Sequence, residues 1–228
     1  DMAEMDLLLT QILQKRETAV NDVERYNNRI KEELASMYSH FSEVEREEYW
    51  TQKSQSLVFL NNLSAITFNT PHTLKVSYDN TIYTKSMLIN SGRLLRQLVN
   101  DCGSDVQNEY SSMINMKRRL LNKNCPNDSI DVYREEISQK EKAIVAAIPN
   151  FSNKLMAQFK TCSDVQKMLS DNEIALEFVF LPQIKSPFDE SELLYGAMLL
   201  ARGDTAPKLI PLCSEYDLED LMDAYTPM

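Results

Sequence analysis

SEVEREEYWTQKSQSLVFLNNLSAITFNTP, residues 42–71, holds a start signal and a stop signal for one helix, and the rest of the chain is organised around it. Ser42 and Glu45 have the S-x-x-E spacing of a capping box, in which hydroxyl and carboxylate each satisfy a backbone N–H left open at a helix start. Trp50, Leu57, Leu60 and Leu63 then recur at helical intervals, which predicts a helix running to about Phe68. Asn69, Thr70 and Pro71 break it. Proline has no backbone N–H to give, suits the first turn of a new helix, and disfavours helix in the residue before it.

On the N-terminal side, Leu8, Leu9, Ile12, Leu13, Val20, Val23, Ile30, Leu34, Met37, Tyr38 and Phe41 keep a three-and-four spacing, predicting one long amphipathic helix over Met5–Phe41. On the C-terminal side a third helix is expected over His72–Asp101, with Tyr78, Ile82, Leu88, Ile89, Leu95, Leu98 and Val99 buried, stopping at Gly103. Ser104 can cap a fourth, carrying Val106, Tyr110, Met113, Ile114, Leu120 and Leu121, before a turn at Asn124, Cys125, Pro126 and Asn127. A fifth starts at Asp128 or Ser129, carries Ile130, Tyr133, Ile137, Ile144, Val145 and Ile148, and closes at Pro149. Helices joined by short polar breaks have the form of antiparallel hairpins, as a bundle or a short solenoid of the tetratricopeptide (TPR) kind. No self-similar period of about 34 residues is present, so regular tetratricopeptide repeats are not demonstrated.

The pattern changes near residue 160. Short helices are expected at Asn153–Lys160 and Ser163–Leu169, followed by three strands. EIALEFVFL (Glu173–Leu181) is apolar on nearly both faces, which suggests a central strand. LYGAMLLA (Leu194–Ala201) is the second, ended by the turn Arg202, Gly203, Asp204, and KLIPLC (Lys208–Cys213) the third, where Pro211 favours a sheet edge. An acidic helix with Glu215, Asp217, Glu219, Asp220 and Asp223 comes last. The fold class is therefore mainly α, antiparallel helical hairpins over 1–160 followed by a small, incomplete α/β sheet region over 161–228. Unpaired backbone along 173–213 would either recruit another chain or be shielded by the protein's own helices and acidic tail.

Composition removes several function classes. The chain has 228 residues and a formal net charge of −10, which disfavours a nucleic-acid binder because phosphate neutralisation needs a basic face. Lys117, Arg118 and Arg119 form the largest basic cluster, and a solvated helix face is favoured there over a site for an acidic partner. Four glycines argue against phosphate-cradling loops and many-stranded barrels. No apolar run nears the roughly 20 residues that span a bilayer, and no export signal is visible, so the expected setting is cytoplasmic, without a membrane partner.

No side chain stands out as catalytic. Cys102, Cys125, Cys162 and Cys213 are widely spaced, with no CxxC pair to suggest zinc or redox chemistry. A cysteine nucleophile needs a positioned base, and the histidines, His40 and His72, both fall at predicted helix boundaries. Cys213, at a strand end, has no histidine after residue 72 to activate it. The acidic residues 215–223 lack the glycine turn and alternating ligands of a calcium loop, and a solvated helix face is preferred. Glu45, Glu47 and Glu48 suit a first helical turn, where the macrodipole favours negative charge. Tyr49, Trp50, Tyr78 and Tyr83 are expected in the core rather than around a ligand. Met87, Met113, Met116, Met156, Met168 and Met198 are expected to fill gaps. Neither a cofactor nor a metal is anticipated.

Three stretches resemble one known family. Ser42–Trp50 (SEVEREEYW) and Tyr78–Val99 (YDNTIYTKSMLINSGRLLRQLV) look like the helical region before many bacterial CHAT domains, the caspase-like domains associated with tetratricopeptide repeats. Thr161–Pro182 (TCSDVQKMLSDNEIALEFVFLP) with Leu194–Leu212 (LLYGAMLLARGDTAPKLIPL) is similar to the opening of the CHAT domain itself, where a helix carrying D-V-Q leads into an E-F strand and a Tyr-Ala strand follows. The resemblance implies a caspase-like fold and a His and Cys dyad in the intact protein. No residue here matches those catalytic motifs, so none is carried over. The chain is expected to be the N-terminal portion of a longer cysteine endopeptidase, serving as a helical, protein-binding regulatory module; the rival expectation is a non-catalytic structural or adaptor protein.

Overall fold

The computed structural model of the chain describes residues 2–121, 127–183 and 192–225. Over these it runs α1 (Met2–Leu13), α2 (Ala19–Tyr38), α3 (Glu43–Phe68), α4 (Pro71–Val99), α5 (Ser104–Leu120), α6 (Asn127–Ala146), the short α7 (Phe151–Met156) and α8 (Cys162–Met168), strands β1 (Ile174–Gln183), β2 (Glu192–Ala201) and β3 (Lys208–Ser214), and α9 (Glu215–Tyr225). The fold is mainly α with a small sheet behind it, and every described strand lies after Asn172. The expected turn at Asn124, Cys125 and Pro126 falls outside the described residues.

The capping box forms as its spacing predicts. Ser42 N–H and Oγ–H both donate to Glu45 Oε2, at 2.8 and 3.1 Å, and α3 ends at Phe68 with Asn69 in the left-handed region at φ 46°. Asparagine tolerates that conformation better than most residues. Thr70 and Thr73 then exchange hydrogen bonds across the first turn of α4.

Several expectations for the helices need correction. Met5–Phe41 is not one helix: α1 ends at Leu13, Lys15 sits at φ 50°, and Lys15 N–H and Arg16 N–H donate to the Ile12 and Gln11 carbonyls. These bonds are the two closures of a Schellman cap, built on lysine where glycine is usual, so no glycine announced it. Ser104 is the first helical residue of α5 and Gly103 is its N-cap, with no side-chain bond. Ile89, expected in the core of α4, is 59% exposed.

The chain divides into two compact units, one of Asp1–Asn28, Ser54–Lys85 and Lys160–Met228, the other of Arg29–Lys53 and Ser86–Phe159. In the first, the sheet has the order β1-β2-β3 with both pairings antiparallel, and Phe178 lies opposite Ala197. β1 is thus an edge strand among the described strands, not a central one. Alternation reports which faces are apolar, whereas position in a sheet is set by pairing, which a two-faced apolar pattern does not encode. β3 takes the other edge, as Pro211 suggests, and the ladder shifts register at Tyr195/Gly196.

One face of this sheet is buried. Val179 and Leu181 of β1 and Met198 and Leu200 of β2 pack with Ala65 of α3, Leu74 and Tyr78 of α4, and Cys162 of α8. The other face is open along β1: Ile174, Leu176, Phe178 and Phe180 alternate there and are all exposed, Phe178 by 61%, while Ile210 and Leu212 are exposed on β3 at the opposite edge of the sheet. The outer edge of β1 is not left bare. Lys85 Nζ donates to the Phe178 carbonyl at 2.9 Å and Asn62 Nδ2 to the Phe180 carbonyl at 2.6 Å, so two helices satisfy acceptors that a further strand would otherwise claim.

In the second unit α5 and α6 pack on each other. Its buried side chains include Tyr38, Trp50, Met87, Leu95, Met113 and Ile144.

Candidate functional site

Two polar clusters inside the helices were not anticipated from the sequence. The first, in the sheet-bearing unit, is a chain of amides. Asn27 and Asn61 exchange hydrogen bonds at 2.7 and 2.9 Å, Asn80 donates to Asn61 Oδ1 at 3.2 Å, and Ser77 donates to Asn62 Oδ1 at 2.7 Å. All five side chains are buried, on α2, α3 and α4. Buried amides demand partners, so they fix which helix faces meet and in what register. The signal available was the pair Asn61-Asn62 set between Leu60 and Leu63, in the middle of an apolar helix face.

The second cluster lies in the other unit. Arg46, in the first turns of α3, is 1% exposed, and its guanidinium donates to the Phe41 carbonyl at 2.7 Å and to Glu141 of α6, itself 2% exposed. Tyr38 OH donates to the Arg46 carbonyl at 3.2 Å, and burial pushes its phenol well above the ordinary range. Lys117 of α5 bridges two carboxylates, Glu43 at 2.5 Å and Glu141 at 3.4 Å. The hydrogen bond from Lys117 holds Glu43 below the usual carboxylate range. Burial works against the Lys117 charge, but the bond and charge of Glu43 together with Glu141 outweigh it, and its pKa is raised. Lys142 adds a bridge to Glu45 at 2.5 Å. Of the basic run, then, Lys117 turns inward while Arg118 and Arg119 are exposed.

Beside this cluster is a cavity of about 370 Å³ between α4 and α5, consecutive helices joined by the short link at residues 100–103. Leu88, Ile89 and Leu95 of α4 and Tyr110, Met113 and Ile114 of α5 give it an apolar lining. Arg46, Arg93, Arg96 and Lys117 supply four cations against the carboxylates of Glu43 and Glu141. Arg93 and Arg96 are exposed and make no ion pair among the described residues. Arg46 Nε is buried without a hydrogen-bond partner. Gly92 also lines the cavity, in the C-terminal third of α4, and a Cβ there would meet nothing within 4 Å. A mid-helix glycine costs about 0.5–1 kcal/mol relative to alanine, and nothing in the packing of α4 demands one here.

Among the described residues no nucleophile is assembled with a base. Cys162 is buried, and burial, with Asp79 nearby, pushes its thiol up to about 11. Cys102 donates to the Leu98 carbonyl and Cys213 is partly exposed. His40 is exposed after α2; His72, 53% exposed, faces Glu24 at 3.3 Å. Among the described residues no hydrogen bond or ion pair joins a histidine to a cysteine. Cys125 lies outside them. The acidic residues of α9 are exposed where described, Asp217 closing a capping box with Ser214, and no group of three His, Cys, Asp or Glu side chains suited to a metal ion occurs among the described residues. Trp50, Tyr78 and Tyr83 are buried on their helices, as are Met87, Met113 and Met116, Met198 is buried on β2, and Met168 is exposed.

Comparison of the chain with protein-family models, with curated proteins and with solved structures finds no match. No described helix is long and apolar enough to cross a membrane.

Proposed function

We propose that this chain is the helical, partner-binding regulatory module of a CHAT-type caspase-like cysteine endopeptidase, together with the opening strands of the protease domain, and that it contributes no catalytic group of its own. The observation that carries this reading is the sheet with one face buried and the other bearing Ile174, Leu176, Phe178 and Phe180 in the open. A contiguous stripe of exposed aromatic and branched side chains marks an interaction surface rather than a solvated one. The occupant we assign to it is the helical layer of the protease core, because the resemblance of Thr161–Pro182 and Leu194–Leu212 to the start of a CHAT domain implies an α/β sheet covered on both sides. The mechanism is regulatory. Partner binding at the helices would alter the sheet-bearing segment and through it the catalytic loops of the intact enzyme, in the cytoplasm of its source.

The test is to express the chain alone and together with the coding sequence that follows Met228 in its gene, and to assay both for thiol-dependent cleavage of protein substrates. The chain alone should be inert, and the extended protein should cleave through a cysteine beyond residue 228. Turnover by the chain alone that is abolished by Cys213→Ala, or a gene that ends at Met228, overturns the reading and leaves the adaptor role.

A further inference from the structure

The groove between α4 and α5 has a composition that the packing of its own unit does not explain. Its floor is apolar, formed by Leu95 and Met113, and Ile89 stands exposed at its rim. Arg93 and Arg96, one helical turn apart, reach no carboxylate among the described residues, although the chain as a whole carries a net charge of −10. Gly92, the residue before Arg93 and one turn before Arg96, opens the helix surface beside them, leaving free the space that a Cβ would take. Arg46, which also lines the groove, is buried and has a donor without a partner.

We infer that this groove is the docking site for an acidic amphipathic helix of a partner protein, its apolar side chains seated over Leu95 and Met113, its backbone passing close to Gly92, and its carboxylates meeting Arg93 and Arg96. Charge complementarity selects the occupant: the lining has four cations and two carboxylates, the latter already engaged by Lys117 and Arg46, so the groove presents unspent positive charge over an apolar floor. A cleft between two packed helices accepts a third helix through anchors at i, i+3, i+4 and i+7. A nucleic acid would meet the same cations but would gain nothing from the apolar floor, and the surrounding negative charge opposes it. The inference rests on the reading of the helices as a partner-binding module and names where that partner sits.

The experiment is fluorescence anisotropy with the full chain and a labelled peptide of the sequence EELLEALLEELLEA. Saturable binding is expected, weakened at least about tenfold by Arg93→Glu with Arg96→Glu, since like charges across a contact oppose it. Gly92→Leu, whose Cβ would meet no atom within 4 Å, should abolish binding while leaving the circular dichroism spectrum of the chain in place and its melting temperature no lower, since glycine inside a helix is itself destabilising. A peptide with glutamine for every glutamate should bind at least about tenfold more weakly. No saturable binding, equal binding of the glutamine peptide, or indifference to Gly92→Leu overturns the proposal. So does self-association of the chain that Gly92→Leu removes, which would seat a second copy there. None of these readouts involves cleavage, so a null result here is distinct from failure of the proposed function.

Discussion

Glu141→Ala tests whether the buried charge cluster holds the second unit together. Glu141 is 2% exposed and is the counter-charge for Arg46, which is 1% exposed, and also the second carboxylate for Lys117. Truncation leaves a guanidinium in the interior with the Phe41 carbonyl as its remaining acceptor, and with Nε already unpartnered. Removing one member of such a pair costs about 3–5 kcal/mol, mostly as the penalty of the abandoned charge rather than the loss of the bond. Against a typical total of about 5–15 kcal/mol this is a large fraction. For a chain of this size it lowers the melting temperature by about 6–20 °C. Replacing both partners together, Arg46→Met with Glu141→Leu, should recover most of that loss, because two apolar side chains of similar size need no counter-charge. Urea denaturation followed by far-ultraviolet circular dichroism measures all three proteins. A single variant within about 1 kcal/mol of the parent, or a double variant worse than the single, refutes the reasoning, since both require the Arg46 charge to be solvated in the native state.

Gly196→Ala should destabilise the sheet by about 1–3 kcal/mol through overpacking, because its Cβ would stand 2.5 Å from Leu181 Cδ1 and 2.9 Å from Leu181 Cγ, in a side chain only 2% exposed; an unchanged denaturation midpoint contradicts this. Cys162, buried and with its thiol held up to about 11, should resist maleimide in the native protein at about pH 8, where an ordinary thiol of pKa about 8.5 is partly ionised. Cys102 and Cys213 should label first, and peptide mapping that finds Cys162 modified as fast as these is the contrary result. Glu43 has a folded pKa below its unfolded value, so its stabilising contribution is present above the unfolded pKa and lost as the pH falls through the folded one. Lys117, raised, contributes below its unfolded pKa and loses that contribution as the pH rises through its folded value. Stability from this pair should therefore be level between about pH 5 and pH 10, and Glu43→Gln should flatten the acid limb of a pH–melting curve; an unaltered limb would show that Glu43 contributes nothing.

How far the sequence is legible differs by element, for physical reasons. The starts and ends of α3 and α4 were readable because Ser42, Glu45, Asn69, Thr70 and Pro71 act on backbone groups within a few residues of themselves. The break between α1 and α2 was not, since its left-handed residue is Lys15, and a lysine in that conformation is held by its surroundings rather than signalled by its type. The place of β1 at an edge was hidden for a different reason. Its outer face is apolar enough to suggest burial, yet it is exposed here. The charge cluster escaped because Arg46 and Glu141 are 95 residues apart, and each alone resembles an ordinary surface residue of an amphipathic helix. Gly92 was visible as one of four glycines, but only the open space around it gives it meaning.

The exposed stripe on β1 is where the central claim meets measurement most directly. Phe178→Cys and Phe180→Cys, placed singly in a chain whose own four cysteines are replaced by serine, report the accessibility of that face through the rate of thiol labelling. Measured in the chain alone and in the protein extended by the coding sequence that follows Met228, the rate should be fast in the first and at least about tenfold slower in the second, as for a thiol that passes from an open surface to a buried one. Equal rates in the two proteins would mean that the apolar face is not the seat of a protease core, and would contradict the account.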